Sequence, residues 1–187
     1  MCADLTELLV GDVLAVAPRL LGCRISTMFE GVPTELVIGE VEAYGGSDDP
    51  ASHAFRGRSP RNASMFEVAG TLYVYRAYGI HWCANVVTGA DGDGQAVLIR
   101  AIEPLDGVDE MLRRRGRHPI ADGPGKLCQA LGIDGADDGL DLVSPGSTVR
   151  IVDDGTPPPT DPLVGPRVGI SKAVDTPWRW RAMAGPR

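Results

Sequence analysis

The sequence is short of several things, and each shortage removes a class of protein. No stretch approaches the ~18 consecutive apolar residues of a membrane helix, so no membrane span is expected. The four cysteines, Cys2, Cys23, Cys83 and Cys128, form no C-x-x-C pair, and no two of the three histidines stand at ligand spacing. Neither a zinc site nor a disulfide framework is expected, and the thiols read as reduced and incidental. Cofactor motifs are also missing. Gly123-Pro-Gly-Lys126 fails as a phosphate-binding loop because Ile120 and Leu127 stand where Gly and Ser/Thr are required. Asp91-Gly-Asp93-Gly94 fails as a calcium loop because its glycine comes early and Ile102 replaces the closing Glu. No cofactor and no metal are therefore expected. The first residues, Met1 to Glu7, are acidic and lack the basic start of a secretory signal, which gives a cytoplasmic reading.

What is present is enough for a folded domain. Hydrophobic residues make up 43% of 187 positions, too many for a disordered chain, and the length suits one domain over 1–187. The formal net charge of −7 argues against nucleic acid held by bulk charge. That charge is uneven, however. Acid is concentrated in residues 1–52 and 134–161, while residues 53–117 and 162–187 carry a basic excess. Sixteen of the eighteen cations are arginine, the residue suited to bidentate phosphate contact and ring stacking; a GC-rich genome gives the same bias.

The pattern of elements is α+β. Asp12 is a cap for a helix from Val13 to Leu21, interrupted at Pro18 and stopped by Gly22. Strands are expected at Arg24–Phe29, Glu35–Tyr44, Ala96–Ile102, Thr148–Val152 and Val168–Ile170. Thr71 to Thr88 reads as a hairpin with its break at Tyr78-Gly79. Helices are expected over Val108–Arg117 and Lys126–Leu131, and residues 45–70 as loop with short helical pieces. Strands and helices alternate without βαβ regularity, so a single mixed domain is expected, with a curved, mostly antiparallel sheet flanked by short helices.

Glu40, Glu42 and Tyr44 share one strand face, which alone reads as a solvated sheet face. His53 alone reads as a loop histidine, and Tyr73 and Tyr75 as sheet packing. Tyr78 is harder to dismiss. A bulky ring at a tight hairpin tip has little of its own domain to pack on, and such tips serve as wedges between stacked bases.

Ordered short segments then point further: Gly39-Glu-Val-Glu-Ala-Tyr44, Ser52-His53, Pro60-Arg-Asn62, Gly70-Thr-Leu-Tyr-Val-Tyr-Arg-Ala-Tyr-Gly79, Cys83-Ala-Asn85, Val97-Leu-Ile-Arg-Ala-Ile-Glu-Pro104, Gly123-Pro-Gly-Lys-Leu-Cys-Gln-Ala-Leu131 and Pro166-Arg-Val-Gly-Ile170. Together, over roughly Leu8 to Trp180, the sequence resembles the monofunctional alkyladenine (3-methyladenine) DNA glycosylases. The resemblance implies that Glu42 is the general base for the attacking water, shared with Arg100 and the backbone carbonyl of Val168. It implies that Tyr44, His53 and Tyr75 wall the flipped base, that Asn85 disfavours the 2-amino group of guanine, and that Tyr78 fills the vacated stack. Contacts to the DNA backbone are expected from Arg56, Arg58, Arg61, Arg76, Arg179 and Arg181. The implied partner is double-stranded DNA containing damaged purines of the 3-methyladenine, 7-methylguanine and hypoxanthine class, met by a nucleoid-associated monomer. Since Lys126 and Lys172 lie far along the chain from the Glu42 motif, a Schiff-base lyase step is not expected. Two other readings remain at this stage: a lesion-independent binding module without catalysis, and an enzyme acting on free nucleosides.

Overall fold

The computed structural model describes residues 5–183, so Cys2 lies outside the described residues. The chain enters through two short helices, α1 (Leu5–Leu9) and α2 (Val13–Val16). The Asp12 carboxylate accepts from the Leu14 amide at 2.9 Å, which is the expected cap. Pro18 opens a 3-10 turn over Ala17–Leu20, so the interrupted helix becomes two short pieces.

Strands β1 (Arg24–Phe29), β2 (Val32–Gly45), β3 (Leu72–Ala77), β4 (His81–Thr88), β5 (Gln95–Asp106), β6 (Val149–Val152), β7 (Leu163–Gly165) and β8 (Arg179–Arg181) form one eight-stranded antiparallel sheet. Its main order is β3-β4-β5-β2-β1-β6. Helices α3 (Val108–Arg115) and α4 (Pro124–Leu131) end at Gly116 and Gly132, both in the left-handed region where a glycine stops a helix without strain. The α+β expectation therefore holds.

β2 is the strand that matters. Its first half alternates between buried and partly exposed positions, with Leu36 and Ile38 fully buried in the core beside Ile25 and Ile99. One of its edges stays with β5 from Glu35 onward, while the other passes from β1 to β8, which pairs with Glu40–Glu42. From Glu40 to Ala43 every residue is buried. Val41 and Ala43 belong to the main core, while Tyr44 packs on a smaller cluster of Ala54, Met65, Tyr73, Val87 and Ala96 beneath the opposite face.

The β2–β5 ladder carries two irregularities at this point. The register passes over Gly39 on β2 and then over Arg100 on β5, pairing Ile38 with Ile102, Glu40 with Ala101, and Val41 with Ile99. A residue in such a bulge is re-aimed relative to a regular strand, and here the re-aimed residue is Arg100.

One expected element is absent. Val168–Ile170 is not a strand, and β7 and β8 flank that region instead. The Val168 amide is engaged by a side chain, and Gly169 has φ +77°, outside the extended region. β7 and β8 are three residues long, too short to show a period.

Candidate active site

Glu42 is the centre of the site and is fully buried. The solvated-face reading of this strand segment is therefore wrong for Glu42. Three groups contact its carboxylate. The Val168 amide donates to Oε1 at 2.7 Å, the Tyr44 hydroxyl donates to Oε2 at 2.8 Å, and Arg100 Nη1 lies 3.3 Å from Oε1. It is thus the amide of Val168 that touches the carboxylate.

Arg100 is itself shared. Its Nε donates to Glu40 Oε1 at 3.2 Å, and the same oxygen accepts from Arg179 Nη1 at 3.1 Å. The cluster alternates in sign, Glu42–Arg100–Glu40–Arg179, so neither carboxylate lacks a countercharge. Burial nevertheless raises the Glu42 pKa above its ordinary 4.5, against the lowering by Arg100, the Val168 amide, the Tyr44 hydroxyl and Arg179. The arginine acts in the expected direction and desolvation outweighs it.

In front of this cluster opens a cleft of about 1000 Å³. Tyr44, His53, Tyr73, Tyr75, Asn85 and Arg100 line it, together with Val168, so the expected base-pocket residues come together from four separate segments. His53 is exposed on the cleft, and its ring meets that of Tyr75 in a T-shaped contact, with centroids 4.5 Å apart at 80°. Its Nδ1 and the Tyr73 hydroxyl are hydrogen-bonded at 2.8 Å. Desolvation lowers its pKa below 6.5, which favours the neutral ring at pH 7. Asn85 is held by its own Nδ2, which donates to the Tyr73 carbonyl at 3.0 Å.

Tyr78 stands at the tip of the β3–β4 hairpin with φ +52° and 83% of its surface exposed. A tyrosine in the left-handed region is strained, and this one holds that conformation without burying its ring. Its hydroxyl reaches the Gly169 carbonyl at 3.4 Å.

The arginines divide. Arg61 and Arg76 line the cleft, and Arg76 also stacks over Trp82 at 5.5 Å. Arg56 lines a smaller hollow beside it, and Arg58 and Arg181 are exposed and line neither. Arg179 is committed to Glu40 rather than free. One sequence expectation needs correcting here. Lys172 lines both the cleft and the adjoining hollow, because the segment after Val168 folds back along the cleft wall. Distance along the chain was a poor guide to distance in space.

Sequence reasoning did not find Asp49, Glu40 or Arg167 as parts of this site. Asp49 lay in a turn-rich segment and Glu40 read as a solvated neighbour. Arg167 stands in the sequence as one residue of Pro166-Arg-Val-Gly-Ile170, with no signal of its own. No group of three or more His, Cys, Asp or Glu suited to a metal ion occurs among the described residues. Among the same residues, no helix is long and apolar enough to cross a membrane.

Comparison with known proteins gives one consistent picture. The family model described as methylpurine-DNA glycosylase matches residues 7–186. A protein of Burkholderia lata named "Putative 3-methyladenine DNA glycosylase" is 49% identical over 182 residues, 91% of this chain and 86% of that protein. Proteins of the same name from Agrobacterium fabrum and Mycobacterium bovis are 49% and 46% identical, covering 90% and 92% of this chain and 83% and 86% of their own lengths.

Proposed function

This chain belongs to the methylpurine-DNA glycosylase family of DNA-repair enzymes, and from that premise we propose how its own residues do the work. The substrate is duplex DNA carrying an alkylated or deaminated purine of the 3-methyladenine, 7-methylguanine or hypoxanthine class. The observation that carries this reading is a fully buried carboxylate, Glu42, set behind an aromatic-lined cleft and fixed by three partners.

The glycosidic carbon of a stacked nucleotide is out of reach, so the nucleotide flips out at a cost of a few kcal/mol. Tyr78 offsets that cost by occupying the gap in the stack. Its exposure at a strained tip supports this role, and supports duplex DNA over a free nucleoside, which leaves no gap to fill. The base enters between Tyr44, His53 and Tyr75. A cationic alkylated ring gains about 0.5–2 kcal/mol from such faces. A neutral His53 keeps positive charge off that wall. Asn85 stands where the 2-amino group of guanine is to be disfavoured.

Departure of the base leaves oxocarbenium character on the sugar. Glu42 takes a proton from the attacking water, with Arg100 and the Val168 carbonyl sharing that water, and its negative charge stabilises the sugar cation. The product is an abasic site, and the reaction ends there without a lyase step. Arg56, Arg58, Arg61, Arg76 and Arg181 contact the DNA backbone, and Arg179 does so while paired to Glu40. The enzyme acts as a monomer at the nucleoid.

The test is incubation with duplexes containing 3-methyladenine or hypoxanthine, followed by detection of abasic sites with and without alkali. Strand breaks only after alkali are expected. Failure to release any damaged purine removes the reading, and breaks without alkali remove its monofunctional part and implicate Lys172.

A further inference from the structure

Arg167 is one of the most enclosed charged groups in the protein, with its side chain fully buried. Its guanidinium forks onto Asp49, with Nη1 bonded to Oδ2 and Nη2 to Oδ1 at 2.9 Å, and Nη1 also donates to the Ala43 carbonyl at 2.9 Å. The same guanidinium carbon lies over two rings, 4.8 Å from the Tyr44 centroid and 5.1 Å from that of Trp178. Asp49 in turn accepts the amides of Gly45 and Ala51, which lead towards His53. The Trp178 carbonyl accepts the Ala43 amide on the other flank of Glu42. The next residue in the chain is Val168, whose amide holds Glu42 Oε1.

We propose that Arg167 is a positioning residue of the glycosylase: it locks the Val168 amide onto Glu42 and the Tyr44 ring against the cleft, without touching substrate. The inference rests on the glycosylase reading above. A flexible lysine has no planar fork and stacks less well, so it cannot hold Asp49, Ala43 and two rings together. When the clamp is lost, the backbone of Val168 drifts from the carboxylate, and a misplacement of this kind costs catalysis more than binding.

The test compares Arg167→Lys and the charge-neutral double variant Arg167→Met with Asp49→Asn against the unchanged enzyme, using hypoxanthine and 3-methyladenine duplexes. The double variant leaves no buried charge unpaired, which protects folding where Arg167→Met alone fails. Single-turnover release is expected to fall by about 10²-fold in folded protein. The Kd for a lesion duplex is expected to change by less than about threefold. A second readout is the acid side of the pH–rate profile. Arg100, Arg179, the Tyr44 hydroxyl and the Cys83 thiol still face Glu42 in these variants, and His53 is common to all. Loss of the Val168 hydrogen bond therefore moves the midpoint to higher pH. A reduced active fraction with an unchanged rate constant and midpoint overturns the proposal, because that is the mark of a purely structural residue. A wild-type enzyme that releases nothing overturns the glycosylase reading instead, and the inference falls with it.

Discussion

The two halves of β2 run through one sheet under different rules. In the first half, Glu35 meets Arg24 at 3.4 Å, with both side chains about a quarter to a third exposed (26% and 35%). In the second half, Glu42 meets Arg100 at 3.3 Å, with exposures of 0% and 15%. The separations are nearly equal, yet water screens both members of the first pair and reaches the second only on its Arg100 side. A pair of the first kind contributes about 0–1 kcal/mol. A pair of the second kind is held by its whole surroundings, and breaking it strands a charge. The neighbours of an ion pair, more than its length, decide whether the pair is chemistry or surface.

The largest effect should come from removing the charge at the centre. Glu42→Gln is expected to lower single-turnover base release by about 10²–10⁴-fold while lesion binding is retained. Equal loss of both, in a binding assay run beside the kinetics, would make Glu42 a structural residue.

Stability separates the two halves next. Arg100→Met should cost about 3 kcal/mol or more in urea unfolding at neutral pH, and Arg24→Met less than about 1. The first cost depends on pH with a definite sign. The Glu42 pKa is already raised above 4.5 by burial, so the fold favours its protonated form. That contribution to stability is present below 4.5 and lost as pH rises through the raised value. Removing Arg100 raises the value further, so the deficit should be larger at about pH 8 than at about pH 5. An equal deficit at both would place the Arg100 effect elsewhere.

The same displaced carboxylate predicts an acid limb in activity. Base release should rise with pH through a midpoint above 4.5, since only ionised Glu42 accepts a proton. A rate that is flat across the acid range would contradict the assignment. The smallest change is expected at the hairpin tip. Tyr78→Ser should weaken binding to a lesion in duplex several-fold more than to the same lesion in a single strand, by roughly the loss of one stacked ring. Equal weakening of both would remove the wedge role.

Much of this arrangement is legible in the sequence, and for physical reasons. β1 matches its expected limits because its run is flanked by turn residues, and α4 stops where Gly132 supplies a left-handed cap. The β3–β4 hairpin breaks where Tyr78-Gly79 interrupts two β-rich runs, although its turn extends to Ile80. The ends of β2 and β5 reach further than their patterns, because an extended strand continues wherever a partner is available. The clustering of Glu42, Tyr44, His53, Tyr75, Asn85 and Arg100 was legible only through resemblance, since no spacing rule joins them. Arg167, Asp49 and the placement of Lys172 were not legible at all. Their roles come from a loop that crosses back over β2, and a loop has no period to read.

The paired irregularities between β2 and β5 have a consequence of parity. A strand alternates its side chains, so one unmatched residue turns everything beyond it over. Here a skipped Gly39 is answered by a skipped Arg100, so the two strands turn over together and stay matched. Val41 and Ala43 return to the oily side in phase with Ile99 and Val97, while Glu42 and Tyr44 keep the wet one. Deleting Gly39 alone would be expected to leave the slip at Arg100 unanswered, so that Val41 falls opposite Arg100 rather than Ile99 and the ladder beyond it loses its register. The base stands where it does because one unmatched glycine turns β2 over just before it.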